Sequence, residues 1–297
     1  MLGTLLWRIK EATAVLLGQK KTATNRINST EKLPLPDLTK PHIIADQEIA
    51  KFIDSLSIEF CFCEFGEQRV NAGGNALGKN RLEPSLSSLK HFFPKATFTV
   101  YSDFNLEVEG TTLKRVEKVP FPNDNHPRYG YRIADYFKFK SLTESKADFV
   151  CVIDSDMLVV SEDIYRLVYL THLFGACTPF NTRNLLKNDM KMSLDTLPIS
   201  DLSKGFGHSY NQSPMTLWKG FEAGKKYYEA CCNWMVKEPS RASRVMWKAA
   251  LETGYSPYLL PQQFCVCEGD VGAGHEVMLH LGHKKVAEYY NIKNGVS

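Results

Sequence analysis

Apolar residues fall into short dense runs separated by stretches at helical spacing, and this alternation sets the first expectations. Ile58-Glu59-Phe60-Cys61-Phe62-Cys63 reads as a first strand, Ala96-Thr97-Phe98-Thr99-Val100-Tyr101 as a second, and residues 111–119 as a third. A glycine-rich loop (Asn71-Ala72-Gly73-Gly74-Asn75) follows the first strand. Pro84 then opens a helix that runs through Phe93, since proline suits a first helical turn. A loop carrying Pro120, Pro122 and Pro127 leads into a helix over residues 131–145. In the second half, Phe174 to Cys177 and Ser213 to Trp218 read as strands, and helices are expected near 220–237 and 241–252. The run from Val277 to Leu281, extended through His283 to Lys284 and Lys285, reads as a last apolar strand. Strands alternating with helices predict an α/β fold, a mixed but mostly parallel central sheet flanked by helices on both faces. In such sheets ligands bind outside the carboxyl ends of the strands.

The sharpest feature is the run from Phe149 to Val160, an apolar strand interrupted by Asp154-Ser155-Asp156. On a strand, positions i and i+2 point the same way, so both carboxylates are expected to project together from a strand end. Asp-x-Asp alone is a weak pattern, and the flanking apolar strand is what sharpens it. Two such carboxylates repel and call for a cation. Mn²⁺ or Mg²⁺ suits oxygen ligands and commonly also holds a phosphate.

Ahead of these elements, residues 1–19 place Leu2, Leu5, Leu6, Ile9, Ala12 and Leu16 at helical spacing. They read as an amphipathic helix that packs on its own domain or a partner. A peripheral membrane contact, helped by Trp7, Lys20 and Lys21, is the alternative. Residues 20–41 read as a proline-bearing linker, and residues 42–297 as one domain. No run is long enough to span a bilayer, and Arg8 and Lys10 break the N-terminal run, so a cytoplasmic protein, membrane-associated at most, is expected. The net charge of +3, spread without a Lys/Arg block, argues against a nucleic-acid partner. It would still suit an anionic cofactor.

The eight cysteines include Cys-x-Cys pairs at 61/63 and 265/267. Zinc sites usually show Cys-x₂₋₄-Cys, so reduced core thiols are the favoured reading.

These pieces together resemble the GT-A glycosyltransferases, most of all the family-8 type of glycogenin and the lipopolysaccharide galactosyltransferases. The resemblance covers roughly residues 57–286. It implies a Rossmann-like fold with a nucleotide-binding half (57–160) and an acceptor-binding half (161–286), a nucleotide-diphosphate sugar as donor and a glycan as acceptor. In that family an Asp-x-Asp pair and a late histidine hold Mn²⁺ on the diphosphate. Asp154 and Asp156 match the pair. His280 matches the histidine of His-x-x-Gly-x-x-Lys-Pro-Trp, but Gly282 comes one residue early and no Pro-Trp follows, so His283 remains a second candidate.

Other positions follow from the same frame. Arg132, with Lys138 behind it, is the candidate basic residue toward the diphosphate, set against a plain salt bridge to Asp135. Lys284 or Lys285 would add point charge on the phosphates. Glu64, ending the first strand, is placed beside base and ribose. Asn211-Gln212-Ser213 is similar to the family's Asn-x-Gly segment and would bring Gln212 near the reacting carbon. Retention is the favoured stereochemistry. An inverting enzyme would need a general base, for which Asp270 is the candidate beside Glu268 and Glu276. A sugar-phosphate nucleotidyltransferase, with Gly73 to Arg81 as its phosphate loop, and a non-catalytic glycan-binding module are the alternatives.

Overall fold

A computed structural model describes residues 47–71, 82–123, 129–180, 210–239, 242–272 and 274–290. The expected helix over 1–19, the linker over 20–41 and the glycine loop beyond Asn71 lie outside them. The elements in chain order begin with α1 (Gln47–Asp54), β1 (Ile58–Glu64), α2 (Glu67–Asn71) and α3 (Leu82–Phe92). Then come β2 (Thr97–Ser102), β3 (Thr112–Arg115), α4 (Tyr129–Glu144), β4 (Phe149–Val152) and β5 (Met157–Val159). The second half holds α5 (Ile164–Phe174), β6 (Ala176–Pro179), β7 (Met215–Trp218), α6 (Glu222–Lys237) and α7 (Ala242–Thr253). It closes with β8 (Tyr258–Leu260), a 3₁₀ turn (Gln262–Phe264), β9 (Met278–His280) and α8 (Lys284–Tyr289).

The central sheet has the order β3-β2-β1-β4-β7-β6-β8, with β7 antiparallel to both of its neighbours and the other pairings parallel. It is the mixed, mostly parallel α/β sheet that the sequence predicts. β5 and β9 form a separate antiparallel pair.

Strands β1 and β4 are apolar on both sides because each face of the sheet carries its own core. Phe60, Phe62, Phe149, Cys151 and Ile153 pack with α1, α3 and α5, whereas Cys61, Cys63, Val150 and Val152 pack with α4, α6 and α7. Burial on both faces erases the polar alternation that a one-sided strand shows. From β1 the chain runs through β2 to β3 on one side, then returns with β4 on the other. The strand order thus reverses between β1 and β4, and the crevice outside their carboxyl ends is where a ligand is expected in this class of sheet.

Two readings of the sequence need correction. Phe174, read as the start of a strand, instead ends α5, in which Ile164, Leu167, Val168 and Thr171 share one buried helical face, and the strand begins at Ala176. The final apolar run is a strand only as far as His280, and Lys284 and Lys285 open α8. Helices α1 and α2, β8 and the 3₁₀ turn after it had no counterpart among the expectations. Among the described residues no helix is long and apolar enough to cross a membrane.

Gly175 ends α5 at φ 79°, its N–H donating to the Thr171 carbonyl at 2.7 Å, and a Cβ there would overlap the Phe221 ring. Gly254 ends α7 at φ 67° with nothing within 4 Å of such a Cβ. Gly254→Ala should therefore cost about 1 kcal/mol, the backbone term alone. Gly175→Ala should cost about 2–4 kcal/mol, because overlap adds to that term. Urea midpoints at unchanged m-value measure both, and equal losses would show that the Phe221 ring is not held in place.

Candidate functional site

The chain leaves β4 through Ile153, whose N–H donates to the Cys61 carbonyl at 3.1 Å. It then turns at once, with the Met157 N–H donating to the Asp154 carbonyl at 3.1 Å. Asp154 and Asp156 therefore converge across a tight turn and not along a continuing strand, which corrects the alternation argument while keeping the pair together. The Asp154 N–H donates to Ser213 Oγ at 2.8 Å, tying this turn to the entry of β7.

Asp154 meets α4. Lys138 Nζ lies 2.5 Å from Asp154 Oδ1 and 3.9 Å from Asp135 Oδ1, and its side chain is almost wholly buried. Burial opposes the lysine's charge, but Asp154 and then Asp135 outweigh it and hold the pKa above its usual range. Asp156 meets β9. The β5–β9 ladder sets Met157 opposite His280, and the Leu281 N–H donates to the Asp156 carbonyl at 2.8 Å. This brings His280 Nε2 to 3.4 Å from Asp156 Oδ1. Burial again opposes the charged form, and Asp156 again prevails, raising the His280 pKa.

One ligand atom from each of Asp154, Asp156 and His280 lies within 4.8 Å of the others. Two carboxylate oxygens and an imidazole nitrogen form a donor set that suits Mn²⁺ or Mg²⁺. Gly282 leaves the space open, since a Cβ there would overlap the Asp156 carboxylate and reach 3.4 Å from His280 Nε2.

The remaining candidates sit on β1, on α4, in the segments before β7 and β9, and on α8. Glu64 is buried at the carboxyl end of β1, opposite Ser102, and nearby the Gly66 N–H donates to Asp103 Oδ1 at 2.8 Å. Arg132 is half-buried on α4, upstream of Lys138. Asp135, its expected salt-bridge partner, accepts from the Ala242 N–H at 3.2 Å and so anchors the start of α7. Gln212 precedes Ser213, and its N–H donates to Asn211 Oδ1 at 2.8 Å. Asp270 Oδ2 accepts from the Cys267 N–H at 3.3 Å. Lys284 and Lys285 are exposed on α8, where Lys284 Nζ lies 3.4 Å from Glu288 Oε1.

Of the two histidines, His280 is the one that faces the carboxylates. The His283 ring packs edge-on to it, with centroids 4.7 Å apart. Sequence reasoning missed the other side of His280. Its Nδ1 lies 4.0 Å from Cys265 Sγ and 3.9 Å from Cys267 Sγ. The Cys265–Cys267 contact pushes the first thiol up and draws the second down, with His280 and His283 helping to lower Cys267. The signal available beforehand was Cys-x-Cys on an extended segment, which puts both sulfurs on one side.

No protein-family model matches the chain, and no curated protein matches it. Solved structures similar to it include two that match over 80% of this chain and 97% of theirs, at 13% identity and a TM-score of 0.45. One is an active-site glutamine-to-glutamate mutant of LgtC. The other is the galactosyltransferase LgtC in complex with donor and acceptor sugar analogues.

Proposed function

We propose that this chain is a Mn²⁺-dependent glycosyltransferase of GT-A type, moving a sugar from a nucleotide-diphosphate donor, a UDP-sugar, to a hydroxyl of a glycan acceptor with retention. The observation that carries the reading is the convergence of Asp154, Asp156 and His280 within 4.8 Å at the carboxyl end of β4, beside the point where strand order reverses. A divalent ion held there would supply Lewis-acid stabilisation to a departing diphosphate.

The chain's own residues then divide the work. Asp154 and Asp156 offer oxygens and His280 offers Nε2. Lys138 balances Asp154 and adds positive charge facing the phosphates, with Arg132 on the same helix behind it. Glu64 lines the base and ribose side. Lys284 and Lys285 supply further charge from the start of α8. Gln212, held beside Ser213, approaches the sugar's reacting carbon. Asp270 is the general base of the inverting alternative. In this reading residues 57–160 bind nucleotide and residues 161–286 bind acceptor.

The test is nucleotide release from a panel of UDP-, GDP- and dTDP-sugars, with Mn²⁺ and with EDTA. Release from one donor should require the metal and fall at least about 100-fold in Asp156→Ala, a loss of about 2.7 kcal/mol. Equal release in EDTA, or from Asp156→Ala, would remove the metal reading. Release of pyrophosphate from a nucleoside triphosphate plus sugar phosphate would instead identify a nucleotidyltransferase.

A finer test uses Gly282, which is exposed and has no left-handed φ. Gly282→Ala should weaken Mn²⁺ binding about 10-fold by displacing the Asp156 carboxylate, with the melting temperature nearly unchanged. Unchanged Mn²⁺ affinity would place the ion away from Asp156.

A further inference from the structure

We infer that Cys265, Cys267 and Nδ1 of His280 form a second metal site, for a borderline-soft divalent ion of the Zn²⁺ class, back to back with the carboxylate pair. The three donor atoms make a nearly regular triangle: Sγ to Sγ 3.9 Å, and 4.0 and 3.9 Å from the sulfurs to Nδ1. Corners at these separations share a centre about 2.3 Å from each, which is the Zn–S bond length. Moving Nδ1 inward by a few tenths of an ångström gives the usual Zn–N bond of about 2.0–2.1 Å.

The backbone explains how Cys-x-Cys achieves this without the longer spacing of common zinc motifs. Val266 is bridged to Leu279, its N–H donating to the Met278 carbonyl at 2.9 Å and its carbonyl accepting from the His280 N–H at 3.1 Å. Residues 265–267 are thus extended beside β9. Val266 turns into the apolar cluster of Leu158, Leu279 and Leu281, and both cysteines turn the other way, toward His280.

The surroundings fit thiolate ligands. Asn211 Nδ2 donates to Cys265 Sγ at 3.2 Å, and Asp270 holds the Cys267 backbone. The three protein donors leave the ion's fourth position to a solvent ligand, with the His283 ring packed edge-on to His280 beside them. On its other nitrogen, His280 faces Asp156 at 3.4 Å, the carboxylate–histidine–metal arrangement that fixes a ligand's tautomer. His280 then serves the carboxylate site through a hydrogen bond when the thiolate ion is bound, and as a ligand when it is not.

The proposal stands apart from sugar transfer and is tested without it. The full chain, stripped of metal and fully reduced, is titrated with Co²⁺, whose thiolate-to-metal charge-transfer absorption reports sulfur ligation alone. The band should saturate at a single equivalent, yield to Zn²⁺, persist in Asp154→Ala and disappear in Cys267→Ser. No band in the wild type, or an undiminished band in Cys267→Ser, overturns the site. Should Cys267→Ser fail to fold, X-ray absorption of the Zn²⁺-loaded wild type decides. Two sulfurs in the first shell support the site, and a shell of oxygen and nitrogen alone overturns it.

Discussion

Two carboxylates in one tight turn repel each other, and the rest of this site is arranged around answering that repulsion. Asp154 and Asp156 each face a different cationic group from a different part of the chain. Lys138 comes from α4 on one side of the sheet, and His280 comes from β9, more than a hundred residues downstream. Removing one partner from a buried pair such as Lys138–Asp154 typically costs about 3–5 kcal/mol, so neither contact is incidental. A divalent cation satisfies both carboxylates at once, and this is why the turn reads as a metal centre.

That arrangement depends on a rigid platform. β1 and β4 are buried on both faces, each face packed by its own set of helices, so the carboxyl end of β4 is fixed against movement in either direction. Ser213 ties the turn to β7, and the β5–β9 ladder ties it to the late histidine. Asn211, two residues from Ser213, reaches Cys265. The segment from 211 to 213 thereby links the carboxylate turn to the thiol pair, and His280 links them a second time through its two ring nitrogens.

Much of this was legible in the residues. Dense apolar runs over Ile58–Cys63 and Phe149–Val152 identified the central strands, because burial on both faces leaves a pattern no solvated strand shows. Asp154, Asp156 and His280 were expected at one site, and their ligand atoms do lie within 4.8 Å of one another. Several contacts set by tertiary pairing were not legible. The turn at Ser155 is closed by one backbone hydrogen bond that leaves no mark in composition. Lys138 was expected on the phosphate side, but its contact with Asp154 depends on how α4 lies across the sheet and left no mark in the sequence. Cys265 and Cys267 are free buried thiols, as expected, but their contact with His280, thirteen or more residues away on a paired strand, was not foreseen. Helix α5 was missed because its apolar face follows directly on the run of β5, so two periods overlap in one stretch.

The most direct measurement is calorimetric titration of UDP into the wild-type chain and Asp154→Ala, each with Mn²⁺ and with EDTA. UDP binding that requires Mn²⁺ in the wild type and is lost in Asp154→Ala is the expected result. UDP binding of equal strength in EDTA, or unaltered by the substitution, would contradict a diphosphate held through a metal on this turn.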